Sequence, residues 1–380
     1  MRGALARWLE GIWYHGRAGA TLLAPLEALF GALAALRRAA FRWRLLRVTY
    51  APVPVVVVGN LSIGGTGKSP LVGALATALQ QQGVRVGILL RGYRGANRQP
   101  TRVTPDSDAA TVGDEAVMLA TATHAATDAT ATGATATDAT TGAVVFVSPD
   151  RVAGAQALRA YGVELILCDD GLQHYALARD LEIVVIDGRR GMGNGRLLPA
   201  GPLRESVARL ASVDWVVVQG PRACGGAAAT AWRGRRGTLA MELVPEELRA
   251  VADARTRRSL ESFRGTPVHA VAGIGHPQRF FASLRAAGLE LIEHPFADHH
   301  AFARDELAFD DGLPVLMTSK DAVRYRSYAD RRHWEVPVAV RLEPEEGAAA
   351  LVAALVALTA AAPQGPSINH PLFAASPEGR

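Results

Sequence analysis

The strongest constraint on this chain is the stretch Val53-Pro-Val-Val-Val-Val-Gly-Asn-Leu-Ser-Ile-Gly-Gly-Thr-Gly-Lys-Ser-Pro70. A short valine run reads as a strand buried on both faces. Gly64, Gly65 and Gly67 then predict a turn, and Leu71, Leu75 and Leu79 stand at helical spacing behind it. A strand, a glycine turn, Lys68-Ser69 and a helix make the architecture of a phosphate-binding loop. Its backbone N–H groups and helix N-terminus face an anion. Lys68 supplies a point charge, and the Ser69 hydroxyl can bind Mg²⁺. The strict Walker spacing asks for glycine where Ser62 stands, so the loop is a variant. A glycine turn carrying a chance Lys-Ser pair is the competing reading, and the flanking strand and helix argue against it.

Composition singles out the same place. Of 41 Lys and Arg residues only Lys68 and Lys320 are lysine. A compact ammonium and a planar guanidinium are not interchangeable where backbone closes on phosphate, which marks both positions as candidate sites. A net charge of +5 suits anionic partners without naming one. Cys168 and Cys224, far apart, build neither a disulfide scaffold nor a paired-cysteine metal site.

Residues 1–48 read as a membrane-associating helical segment. Ala18–Leu36 is apolar apart from Thr21 and Glu27, with Pro25 inside, and arginines flank it on both sides. Trp8, Trp13, Tyr14 and Trp43 are amphipathic rings suited to an interface. An interfacial helix or hairpin on an anionic leaflet is expected rather than a span or a cleaved signal. A helix packed on the catalytic body is the alternative. Residues 49–222 read as the core unit, 238–360 as a second α/β unit, and 361–380 as a disordered tail. The Ala/Thr-rich stretch 120–143 reads as a disordered insertion.

Strands are expected at Val84–Leu90, Val144–Val147, Leu165–Cys168, Leu181–Ile186, Val213–Gln219, Pro267–Ala272, Val315–Met317 and Val336–Leu342. Several end in chemistry. Arg91-Gly-Tyr-Arg94 is a basic glycine loop, and Asp169-Asp170-Gly-Leu-Gln173-His174 follows an apolar strand, as for an Mg²⁺-holding aspartate. Gly188–Glu205 is a long Gly/Pro/Arg loop. Asp114 and Glu115 open a helix, where capping alone would explain them. Asp298-His299 suits acid–base chemistry, with a solvated loop pair as the alternative.

As a set, these motifs resemble the tetraacyldisaccharide 4'-kinase family, from the N-terminal helix to about Leu358. The resemblance implies a P-loop-like three-layer α/β/α core with a second, smaller α/β domain, joined by a short β-ribbon with the active site between them. It implies transfer of the ATP γ-phosphate to the 4'-hydroxyl of a lipid disaccharide 1-phosphate, at the cytoplasmic face of a bacterial inner membrane. No nucleic acid and no obligate protein partner are expected. ATP would lie on Ser62, Ile63, Gly64, Gly65, Thr66, Gly67, Lys68 and Ser69, with Mg²⁺ on Ser69, Asp169 and Glu205. Asp114 would be the catalytic base, assisted by His299. Arg94, Arg151, Asp170, Gln173, His174, Arg196 and Arg204 would hold substrate or stabilise charge, and Lys320 would pack near the nucleotide base. A membrane-associated switch ATPase acting through partners, and a soluble small-molecule kinase, are the rival readings.

Overall fold

The computed structural model describes residues 2–16, 18–92, 95, 96, 98–128, 142–220 and 237–360. The valine run is β1 (Val55–Gly59), the middle strand of a nine-stranded sheet. Parallel neighbours flank it, β5 (Leu165–Asp169) on one side and β6 (Leu181–Asp187) on the other. Beyond β5 lie β2 (Val86–Leu90), β4 (Val144–Val147) and a short antiparallel edge strand, β3 (Thr101–Val103). Beyond β6 lie β7 (Trp215–Gln219), β8 (Thr238–Pro245) and β15 (Val338–Glu343).

Alternate residues of β1 serve opposite cores. Val56 and Val58 pack on α3 (Lys68–Gln81) through Leu71, Leu75 and Leu79. Val55 and Val57 pack with Leu158 of α6 (Arg151–Arg159), Leu172 and Leu203. Both faces are covered, which is why the strand reads as unbroken valine rather than alternation.

The second sheet has six strands, in the order β10 (Arg257–Arg258), β9 (Leu248–Ala250), β14 (His333–Val336), β13 (Val315–Thr318), β11 (Val268–Ala272) and β12 (Leu291–Pro295). The chain leaves the first sheet along β8 and returns along β15, its antiparallel partner. The expected single strand Val336–Leu342 is therefore two strands in two sheets. Pro337 stands between them and has no N–H to donate, so the ladder is interrupted there. The stretch 238–360 is likewise divided, since β8 and β15 belong to the nine-stranded sheet. The helix α9 (Glu345–Ala360) sinks Leu351 and Leu355 into the first core.

One expectation is corrected outright. The helix α5 (Asp114–Asp128) runs through the first part of the Ala/Thr-rich stretch, with Ala120 and Thr123 fully buried. Alanine is the best helix former, and a threonine hydroxyl satisfies itself within the helix: Thr123 Oγ1 donates to Leu119 O at 2.9 Å. Residues 129–141, and the tail 361–380, lie outside the described residues.

Two helices precede β1, namely α1 (Arg2–Tyr14) and α2 (Ala24–Arg42). Among the described residues, no helix is long and apolar enough to cross a membrane. Both helices dock on the Gly188–Glu205 loop. Trp13 Nε1 donates to Pro199 O at 2.9 Å, and Arg196 Nε donates to Glu27 Oε2 at 2.8 Å. Further along, Arg37 donates to Gln173 O at 3.0 Å and Phe41 packs on Tyr175. The opposite face of α2 and the turn before it leave Leu22, Leu26, Leu29, Leu33 and Leu36 exposed.

Candidate active site

The turn after β1 is built to stay open. Gly67 caps α3 at φ +85°, and a Cβ there would meet Met241 Cε at 2.9 Å, so both conformation and space demand glycine. A Cβ at Gly64 or Gly65 would meet nothing within 4 Å, which places a hollow in front of them. Among the described residues no side chain caps the first N–H groups of α3, an arrangement suited to an anion. Asn60 Nδ2 ties Gly64 O at 3.2 Å. The long loop braces the turn from outside, through Ile63 N to Pro202 O at 2.9 Å and Arg204 N to Leu61 O at 2.7 Å. Ser62 is buried in a bridge to Leu203, while Ile63 is exposed at the hollow.

The hollow, about 2060 Å³, runs between the two sheets from Phe30 and Leu33 of α2 to His299 and Lys320. A Cβ on Gly275, in the turn after β11, would stand 3.7 Å from Gly65 N, so the two glycine turns face each other across it. Lys68 Nζ lies 3.7 Å from Asp170 Oδ1. Arg204 donates to both Asp170 oxygens at 3.2 Å. Ser69 Oγ donates to Asp169 Oδ2 at 2.6 Å, whereas Asp169 Oδ1 is buried with no partner among the described residues. Burial and the Glu115 charge push the Asp169 carboxyl up, against the pull of Lys68 and the Ser69 hydrogen bond.

Asp114, at the start of α5, is buried, and Oδ1 accepts from Glu115 N at 2.9 Å. His299 reaches it from the second sheet, Nδ1 to Asp114 Oδ2 at 3.1 Å, with its backbone at φ +60°. Burial alone would push the Asp114 carboxyl up. The His299 hydrogen bond and the charges of Lys320 and Arg324 outweigh it and hold the group well below the usual carboxylate range. Two groups 185 positions apart in sequence are thus brought into direct contact.

Other expected residues stand differently. Arg151 borders the hollow, but its guanidinium is buried and donates to Leu89 O and to Asp169 O, the latter at 2.6 Å. It fastens β2 to β5 rather than offering a free cation. Arg196 holds Glu27 of α2 and is not among the residues around the hollow. His174 is likewise not among the residues around the hollow, and burial followed by the Arg151 and Arg179 charges pushes it down to about 4. Gln173 Nε2 donates to Glu205 Oε1 at 3.0 Å and Tyr175 OH donates to Glu205 Oε2 at 2.7 Å. Arg209 Nε sits 3.4 Å from Glu205 Oε2, so both Glu205 oxygens are engaged by protein groups. Among the described residues, no group of three or more His, Cys, Asp or Glu is arranged to hold a metal ion. Arg94 lies outside the described residues.

Sequence reading missed Arg324 and Arg279. Arg324, on α8 (Ser319–Tyr325), contacts Asp114 directly. Arg279, on α7 (Pro277–Ala286), pairs with Asp187 and Gln219 at the ends of β6 and β7. In an arginine-rich chain neither stands out by composition. The spacing of Lys320 and Arg324 on one helical face was the available signal.

The sequence model of the tetraacyldisaccharide-1-P 4'-kinase family matches residues 19–357. A tetraacyldisaccharide 4'-kinase of Alkalilimnicola ehrlichii is 49% identical over 324 residues, 85% of this chain and 88% of that one. One of Chromobacterium violaceum is 47% identical over 348 residues, 89% of this chain and 95% of that one. The crystal structure of an "apo" form of LpxK from Aquifex aeolicus in complex with ATP matches with a TM-score of 0.70 at 26% identity, covering 88% of this chain and 99% of that one. Matched over most of its length in sequence, and carrying the same mixed α/β architecture, the chain belongs to the tetraacyldisaccharide-1-P 4'-kinase family.

Proposed function

We propose that this chain transfers the γ-phosphate of ATP to the 4'-hydroxyl of a tetraacylated disaccharide 1-phosphate, in the cleft between its two sheets. The observation that carries the reading is the meeting of Asp114 and His299 at 3.1 Å, beside a cleft also lined by the open glycine turn. The turn from Ser62 to Ser69 cradles the polyphosphate, and Lys68 neutralises its outer charge. Asp114 accepts the proton of the attacking hydroxyl. The P–O bond to the departing ADP breaks as the new ester P–O bond forms. His299 orients the carboxylate. Arg204 and Asp170 stand beside Lys68, where a guanidinium stabilises transferred charge.

The residues present fit a divalent cation. Ser69 Oγ and Asp169 Oδ1, which has no partner among the described residues, would be its protein ligands at the foot of the turn. A bound Mg²⁺ would neutralise charge on the transferring phosphoryl group. Glu205 shapes this end of the cleft through Gln173 and Tyr175.

The exposed leucines of α2 and the turn before it form the membrane-facing surface, and arginines at its C-terminal end meet anionic headgroups. Leu33 lines the cleft from the same helix, which sets the acyl chains of a substrate beside the site. A Leu22→Ser, Leu26→Ser, Leu29→Ser variant is expected to lose on the order of tenfold or more in partitioning to phosphatidylglycerol vesicles. Sedimentation with the vesicles reads this directly, and unchanged partitioning removes the membrane role of this face.

Incubation with γ-labelled ATP and lipid A disaccharide 1-phosphate tests the activity, with label expected on the sugar lipid. Slow hydrolysis stimulated by a partner protein, with no labelled lipid, would instead favour a switch ATPase.

A further inference from the structure

The short helix α8 follows a strand of the second sheet yet serves the first as well. Val323 packs against the first sheet's core, and Lys320 and Arg324 flank it at helical spacing. Lys320 Nζ lies 3.1 Å from Glu115 Oε1 and 3.2 Å from His299 Nε2. Arg324 divides its guanidinium. Nη1 donates to Gly273 O at 3.0 Å and to Asp321 Oδ1 at 2.9 Å. Nε donates to Asp114 Oδ2 at 2.6 Å, and Nη2 donates to the same oxygen.

Each contact fixes something specific. An ammonium has donors and no lone pair, so His299 Nε2 is the acceptor of the Lys320 contact. The ring proton then stands on Nδ1 and is donated to Asp114, the longer 3.4 Å approach of Arg324 Nη2 to the same nitrogen being a donor–donor contact. Arg324 cannot swing away easily. Asp321 is wholly buried, and its other oxygen accepts from Gly273 N at 3.0 Å and Thr318 Oγ1 at 2.6 Å. Among the described residues three donors meet on Oδ2 while Oδ1 accepts from Glu115 N, so Asp114 keeps a lone pair on Oδ1 for an incoming hydroxyl.

We propose that Lys320 and Arg324 are positioning residues of the phosphoryl-transfer site. Arg324 aims the Asp114 carboxylate from the opposite sheet, and Lys320 sets the tautomer of its His299 partner. The proposal rests on the assignment of Asp114 as base. It also gives a purpose to the second of the two lysines, different from the expected packing against a nucleotide base. A planar fork bridging a carboxylate, a carbonyl and a second carboxylate is a task for arginine, whereas a rotatable point donor to an imidazole nitrogen suits lysine.

The test uses Arg324→Gln and Arg324→Lys, each in the wild-type and the Asp114→Asn background, with label transfer to the lipid, KM for ATP and melting temperature measured together. Displacing a reacting group by about 1 Å costs about 10²-fold. Arg324→Gln is therefore expected to lower kcat about 10²-fold with KM for ATP little changed. Arg324→Lys, which keeps charge without the fork, should recover only a small part of that loss. In the Asp114→Asn background the same substitutions should cost almost nothing more, because the group they aim is gone. An equal fold-loss in both backgrounds would overturn the proposal, as would wild-type kcat in both Arg324 variants. Should Arg324→Gln fail to fold, Arg324→Lys decides by the same comparison. Full turnover by Asp114→Asn alone would overturn the base assignment and the positioning role with it. An inert Asp114→Asn beside a fully active Arg324→Gln removes only the positioning role.

Discussion

Lys68→Ala is expected to lower kcat/KM for ATP about 10³-fold, which corresponds to about 4 kcal/mol. Lys68 begins α3 where the helix N-terminus faces the hollow, and its ammonium is mostly shielded from water, with Asp170 3.7 Å away. A cation held in place before phosphate arrives needs no reorganisation during reaction, and low surrounding polarity magnifies its effect. Removing it also takes from the Asp170 carboxylate one of the two cations that pair with it among the described residues, Arg204 being the other. Lys68→Arg should rescue little, because a planar fork does not fit where the backbone closes tightly. Calorimetric ATP binding, steady-state kinetics and a melting curve together check this. Unchanged ATP affinity and turnover in a folded Lys68→Ala protein would remove the phosphate-cradle reading.

Asp114→Asn is expected to lower kcat by about 10²- to 10⁴-fold, the range associated with general base catalysis, while ATP affinity stays within a few-fold. Asparagine preserves shape but accepts no proton, and it leaves Arg324 and His299 facing a neutral group. His299→Ala should cost less, since that residue orients the carboxylate. Loss of ATP binding in both variants would instead move the pair to nucleotide binding or to folding.

The pH dependence has a defined sign. The Asp114 carboxyl is depressed in the folded protein, so its ion pairs contribute stability fully above the ordinary carboxylate pKa of 3.8 and lose it as pH falls toward the depressed value. Activity profiles should accordingly show no acid limb from Asp114 between about pH 5 and 8. Such a limb, present in wild type and absent in Asp114→Asn, would contradict the ion pairing seen with Arg324.

Much of this protein is determined locally, and that part was legible. Val55–Val58 could be read as a doubly covered strand because both cores are apolar. Gly67 could be read as a turn because its positive φ excludes side chains. Asp114 was recognisable as a helix-opening residue from position alone, though the role proposed for it rests on family resemblance rather than on any spacing. The seat of α1 and α2 on the Gly188–Glu205 loop was not legible, since Glu27 meets Arg196 169 positions away. Nor was the division at Pro337, which needs both sheets to exist before the break has meaning.

The strand, glycine turn and helix of 53–82 and the run of buried strands follow from backbone freedom and apolar patterning within a few residues, so they can be read from the chain. Which of many arginines face the cleft, which lock the frame, and which reach across from the second sheet depends on contacts between distant segments. A guanidinium carries the same charge everywhere; its role is fixed by the carboxylate or carbonyl that folding places within reach.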